Sequence, residues 1–195
     1  MNKVAALLLI LGSLVMSSCS SCDNQAHEEF KARDDYRSTK DVYFNKEAYD
    51  KTPPGETRVY IDLSDQRAQL LAIKDITVLI DTPVSTGRYG KSTPTGRHPI
   101  QEKLVNKRST LFGKYYYRGR VVYSGDRRRY RGRRSYFVGA SLPYWMRMNN
   151  SGIGMHGSNS IRRYPSSNGC VRTPQDVIPK IFAKVEEGTT VVVVP

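Results

Sequence analysis

The chain has 195 residues, a formal charge of +13 and three cysteines. That length suits one domain, at roughly 100–200 residues each; the 15 Gly and 10 Pro are too few for a collagen-like or low-complexity chain, and three cysteines exclude a disulfide scaffold. The charge alone would suit nucleic acid, so where it lies and in which compartment becomes the deciding question.

The first nineteen residues read MNKVAALLLILGSLVMSSC: Lys3, a mostly apolar run from Val4 to Met16, then two small residues before Cys19. A spanning helix needs about 20 apolar residues, so this reads as a secretory signal. Small residues followed by cysteine resemble the bacterial lipoprotein cleavage motif, with Met16 where leucine is usual. The expectation is a signal peptide over 1–18, lipidation at Cys19 and a protein anchored in a membrane of the cell envelope, facing the periplasm. Each buried acyl CH₂ contributes about 0.8 kcal/mol to such anchoring. Ser20, in place of Asp after the cysteine, favours the outer membrane of a Gram-negative cell. An ordinary signal peptide with an incidental cysteine is the alternative. Cys22 is left without a role, and a lone body cysteine, Cys170, cannot be a structural staple in an oxidising compartment.

Residues 19–56 are polar and charged and close on Pro53-Pro54-Gly55, which suits a tether with a short helix near 28–37 and a solvated His27. The folded part is expected over 57–195. Val59, Ile61 and Leu63 alternate with Arg58, Tyr60 and Asp62, the period of a strand. After a turn at 64–67, residues 68–73 and 76–80 read as two more strands. Residues 85–96 are rich in turn formers. Further strands are expected near 97–104, 115–124 and 135–141. Thr173 as N-cap, Pro174 at the first helical position and Asp176 three residues after the cap start a helix over about 174–187. Val177, Ile178, Ile181, Phe182 and Val185 would share one face, with Pro179 kinking the helix. The β-branched run from Thr189 to Val194 reads as a buried strand. The fold class is mostly β with one late helix.

The stretch IGMHGSNSIRRYPSSNGCVRTP, residues 153–174, carries the chemistry. A thiol must become a thiolate to attack a carbonyl, and an adjacent imidazole is the usual means. Cys170 follows Gly169, and His156 lies 14 residues upstream. By residue type alone, a buried small cysteine and a satisfied core histidine are the more frequent reading.

The motif favours a catalytic pair instead. Tyr164-Pro165-Ser166-Ser167-Asn168-Gly169-Cys170-Val171-Arg172-Thr173-Pro174, with His156-Gly157 upstream, resembles the L,D-transpeptidase (YkuD-like) catalytic domain. Val84-Ser85-Thr86-Gly87, Thr93-Pro94-Thr95-Gly96 and Leu142-Pro143-Tyr144-Trp145-Met146 are similar to its other landmarks, so the resemblance covers about 57–195. It implies a β-sandwich in which Cys170 is the nucleophile and His156 the general base. Backbone amides of Gly169 and Cys170 would contribute to an oxyanion hole. Ser167 would brace the loop, and Gly157 would keep the backbone beside the base uncrowded. Arg172 would bind a substrate carboxylate or tie the loop by a salt bridge, with Tyr144 and Trp145 toward the substrate. Asn168 stands where the family usually has histidine and cannot carry a proton. His98 reads as structural.

The implied reaction is acyl transfer on peptidoglycan stem peptides. Cys170 displaces the terminal D-alanine, and an amine resolves the thioester; with water as acceptor the same intermediate gives a carboxypeptidase or amidase. A non-catalytic wall-binding lipoprotein is the remaining alternative. No metal or organic cofactor is implied.

Residues 107–134 hold eleven basic residues against Asp126 alone, +10 of the +13, with five tyrosines interleaved. In an exported protein the partners would be stem carboxylates, lipid head groups or anionic envelope polymers, and no nucleic acid. Arginine's fork suits carboxylate and phosphate alike. The stretch reads either as a solvated hairpin face or as a wall of the substrate groove.

Overall fold

A computed structural model describes residues 20–132 and 134–195, with side chains from residue 24 onward; the signal peptide, Cys19 and Arg133 lie outside the described residues. In chain order come helix α1 (Ser20–Lys31), strand β1 (Tyr43–Phe44), helix α2 (Lys46–Lys51), and strands β2 (Thr57–Asp62), β3 (Arg67–Ala72), β4 (Val78–Pro83) and β5 (Gly96–Pro99). They are followed by the long β6 (Glu102–Tyr117), β7 (Arg120–Asp126), β8 (Tyr136–Arg147), β9 (Gly154–Ser158), β10 (Val171–Pro174), helix α3 (Ile178–Lys184) and β11 (Thr190–Val194). One sheet runs β1-β4-β3-β2-β11-β5 and the other β10-β9-β8-β6-β7. The mostly-β sandwich expected from the sequence is present.

The alternation in β2 becomes a strictly alternating burial pattern, because one face of each strand meets the core. Val59, Ile61, Leu70, Ile80, Val191 and Val193 from the first sheet join Ile100, Met146, Met155 and Val171. Ile178, Ile181 and Val185 close the core from the helical side.

The late helix is shorter than expected. Thr173 and Pro174 end β10, in parallel register with Gly157 and Ser158 of β9. The helix starts at Ile178, which places Pro179 in its first turn, where a missing N–H costs nothing. The expected kink therefore does not arise. The expected single strand over 115–124 is a hairpin: Arg118 (φ 47°) and Gly119 (φ 75°) reverse the chain with two left-handed residues.

The segment read as a tether is packed instead where it is described. His27 is 2% exposed and Tyr36 6%. His27 Nε2 lies 2.8 Å from Asp81 Oδ2 on β4, and the Tyr36 hydroxyl donates to the same oxygen at 2.8 Å. Gln69 Nε2 adds a third bond at 2.9 Å, and Arg67 Nε donates to Asp81 Oδ1 at 2.7 Å. The Arg67 guanidinium lies 4.8 Å from the Tyr36 ring centre and 5.2 Å from that of Phe30. This covers the second face of β4, which is buried along its whole length. The composition misled because the segment docks through few aromatics and one satisfied carboxylate, not through an apolar stripe.

Candidate active site

Strands β9 and β10 pair in parallel, with His156 opposite Arg172 and Met155 opposite Val171. Register partners share a face and so do residues two apart. His156 and Arg172 therefore look out of one side of the sheet, and Cys170 is the last residue before β10 begins, with Arg172 close enough for its charge to bear on both Cys170 and His156. The backbone of Gly154 donates toward the Cys170 sulfur.

The loop before Cys170 is held from within and from below. Ser167 Oγ accepts the Gly169 N–H at 3.0 Å and donates to the Cys170 carbonyl at 2.5 Å. Gly169 sits at φ +115°, where a side chain would be strained, and a Cβ there would stand 3.1 Å from Ile153. Below, the Thr86 carbonyl accepts the amides of Ser166 and Ser167, and Ser85 and Arg172 exchange two backbone bonds of 3.0 Å. Ser85 Oγ also accepts the Arg162 amide at 2.6 Å. Thr93 Oγ1 accepts from the Gly87 N–H at 2.9 Å and donates to the Gly169 carbonyl at 2.8 Å. The two landmarks at 84–87 and 93–96 thus form the floor of the loop that carries Cys170.

His156 is 7% exposed, and its Nδ1–H donates to the Gly157 carbonyl at 2.9 Å. A carbonyl can only accept, so the neutral ring carries its proton on Nδ1 and leaves the Nε2 lone pair for a proton. Gly157 must lack a side chain: a Cβ would meet Gln175 Oε1 and Ile178 Cγ2 at 2.8 Å. Burial holds the His156 imidazolium below its ordinary 6.5, and the Arg172 charge adds to this. Burial pushes the Cys170 thiol above its ordinary 9.0, against the Gly154 amide and Arg172. Both displacements favour a neutral thiol and a neutral imidazole at neutral pH.

Three expectations change. The Gly169 amide is spent on Ser167 Oγ, so of the two amides assigned to an oxyanion hole only that of Cys170 has no hydrogen-bond partner among the described residues. Trp145 is 2% exposed, with its indole donating to Glu102 Oε2 at 2.9 Å and its ring centre 6.3 Å from that of His156. It packs beside His156 and offers no surface to a substrate. The Tyr144 ring meets Phe182 of α3 at 5.5 Å, on a backbone at φ 54° inside β8. Arg172 makes no ion pair among the described residues, which leaves its loop-tying salt bridge without a partner. Asn168 Oδ1 is buried without a hydrogen-bond partner. His98 is structural as expected, bonding the Pro94 carbonyl at 3.0 Å.

A family model for the L,D-transpeptidase catalytic domain, YkuD, matches residues 56–193. The chain belongs to the L,D-transpeptidase catalytic domain family. The L,D-transpeptidase of Stackebrandtia nassauensis is 24% identical with a TM-score of 0.53, over 77% of this chain and 62% of that one. A cysteine-to-serine mutant of the Enterococcus faecium L,D-transpeptidase is 25% identical, with a TM-score of 0.50 over 72% and 50%. An L,D-transpeptidase solved in complex with imipenem, LdtMt1, is 20% identical, with a TM-score of 0.55 over 71% and 59%. The chain thus spans between half and about three-fifths of these proteins. No curated protein sequence matches it.

Within this L,D-transpeptidase domain, sequence reasoning passed over the part of Thr93 and the cations Arg88 and Lys91. Thr93 opens a landmark motif that was in view, but a hydroxyl reaching 76 residues along the chain has no local signature.

Proposed function

We propose that the domain is a peptidoglycan L,D-transpeptidase working by cysteine acyl transfer. The observation that carries this reading is the β9–β10 register, which sets His156 opposite Arg172 with Cys170 immediately before β10, on a loop braced by Ser167. His156 Nε2 takes the thiol proton as the sulfur attacks the carbonyl of the third stem residue. The C–N bond to the terminal D-alanine breaks, and the imidazolium returns the proton to the leaving amine. A thioester remains. An amine of a neighbouring stem then attacks it, giving up a proton to His156 and restoring the thiol. Arg172, having no internal counter-charge, is suited to a stem carboxylate. Export and lipidation at Cys19 would place this chemistry against the cell wall.

The test is purified protein incubated with a tetrapeptide-stem muropeptide, with and without an acceptor stem, followed by mass spectrometry. Dimers with loss of D-alanine, absent with Cys170→Ala, support the reading. D-alanine loss without dimers makes the enzyme a carboxypeptidase, and D-alanine release by Cys170→Ala removes Cys170 from the chemistry.

A further inference from the structure

A groove of about 540 Å³ opens beside Asn168, two residues from the nucleophile. Arg88, Lys91, Phe112, Tyr123, Arg129 and Asn168 line it. It lies between the turn at 88–91, which packs under the catalytic loop, and the 3-10 turn Arg127–Arg129 that ends the basic hairpin. The turn is fixed to the loop: the Arg88 amide donates to the Ser167 carbonyl at 3.2 Å, and the Lys91 carbonyl oxygen stands 3.6 Å from where a Gly169 Cβ would be.

The charge of this groove is not internally neutralised. The one acid in it, Asp126, is spent on Arg128, which it meets at 2.7 Å, and on capping the same 3-10 turn through the Arg128 amide at 3.0 Å. Arg88, Lys91 and Arg129 make no ion pair among the described residues. Arg172, two residues after Cys170, is depressed chiefly by burial, which Cys170 opposes and the charges of Arg162 and Arg88 reinforce, so Arg88 is felt at the loop that carries Cys170. Concentrating like charge beside a reactive thiol is unfavourable in the free protein and is relieved by an anionic occupant.

We propose that Arg88, Lys91 and Arg129 form an anion subsite that holds carboxylates of the stem peptide while its carbonyl meets Cys170. The inference rests on the proposed transpeptidase reading and adds to it the residues that select a charged stem. The position favours a stem peptide: the groove adjoins the loop that carries Cys170, and stem peptides carry several free carboxylates. Phe112 and Tyr123 supply apolar walls for the peptide between those charges. The basic hairpin is then, at its inner end, a wall of the substrate groove. Its outer end, Arg118 to Arg120, is exposed and takes no part.

The test is binding of a synthetic tetrapeptide stem to the full chain carrying Cys170→Ala, by titration calorimetry at low salt. The probe is used with free carboxylates and with all carboxylates amidated. The free peptide is expected to bind at least tenfold tighter, and the double change Lys91→Ala with Arg129→Ala to abolish that difference. Removing the same charge at the hairpin tip, with Arg118→Ala and Arg120→Ala, is expected to leave it intact. The proposal is overturned if the two peptides bind alike to the parent protein, if the difference survives without Lys91 and Arg129, or if both double variants lose it equally. In the last case net charge alone attracts the peptide. A wild-type protein that releases no D-alanine yet discriminates the peptides keeps the subsite and removes the transpeptidase reading.

Discussion

Thr93 Oγ1 donates to the carbonyl of Gly169 at 2.8 Å, tying the residue before the nucleophile to a loop 76 positions upstream. The same oxygen accepts the Gly87 amide, and Thr93 is 2% exposed. Thr93→Val keeps the shape and removes both bonds, leaving two buried backbone groups without partners at about 1–3 kcal/mol each. Thr93 touches no reacting atom, so the loss should fall on kcat, by about 10- to 100-fold, at 1.4 kcal/mol per factor of ten. KM should change little, and Thr93→Ser should recover most of the rate. A folded Thr93→Val protein with kcat within about twofold of wild type would show that Ser167 alone sets the loop, through the bonds it already makes to Gly169 and Cys170.

Burial displaces the two groups proposed for catalysis in opposite directions, Cys170 upward and His156 downward. His156 is deprotonated above its lowered value, so the acid limb of kcat/KM should lie below 6.5. The thiol of Cys170 stays protonated until above its ordinary 9.0. Alkylation by iodoacetamide should therefore be slow at neutral pH and still rising above pH 9. A rate already on its plateau at neutral pH would indicate a preformed thiolate–imidazolium pair instead.

Asp81 shows what sequence reading could and could not reach. The strands that alternate over 57–83 and the His-Gly and Gly-Cys motifs are local, and the structure places them as their residues suggest. The docking of 24–44 is not local: it depends on one carboxylate on β4 receiving His27, Tyr36, Arg67 and Gln69 from three other stretches. No pattern in the segment announces that. Strands β9 and β10 escaped for a related reason, since each is short and glycine- or proline-bearing, and becomes a strand by pairing with the other.

The same carboxylate makes a stability prediction. Burial alone would raise Asp81, but the His27 bond and the Arg67 charge bring it below its ordinary value. A depressed acid contributes stability above its unfolded value, about 3.9, and that stability is lost as pH falls through the lower folded value. Asp81→Asn leaves Arg67 buried and unpaired, at about 3–5 kcal/mol. At neutral pH that should lower Tm by roughly 6–20 °C, at 2–4 °C per kcal/mol for a chain of this size. Below about pH 4 the gap between variant and wild type should narrow as Asp81 itself becomes protonated. Melting curves by circular dichroism across pH 2.5 to 7 test this, and a gap that does not change with pH would mean that the charge of Asp81 contributes nothing.

Asn168 occupies the position where histidine is usual, on the edge of the cationic groove. Its Oδ1 is buried without a partner, so the side chain is not held by an internal bond at that atom. The base is already complete without it: His156 is fixed through Nδ1 to Gly157 and presents Nε2. Asn168→His should therefore leave kcat within about threefold, a change of under 1 kcal/mol. The acid limb should stay where His156 sets it, below 6.5. A second titration in kcat/KM near the ordinary histidine value of about 6.5 would mean that the new imidazole joins the proton transfer. A loss beyond about 100-fold, or about 2.7 kcal/mol, would mean that the loop tolerates only the amide. The pH profile of D-alanine release by the variant separates these outcomes from the expected one.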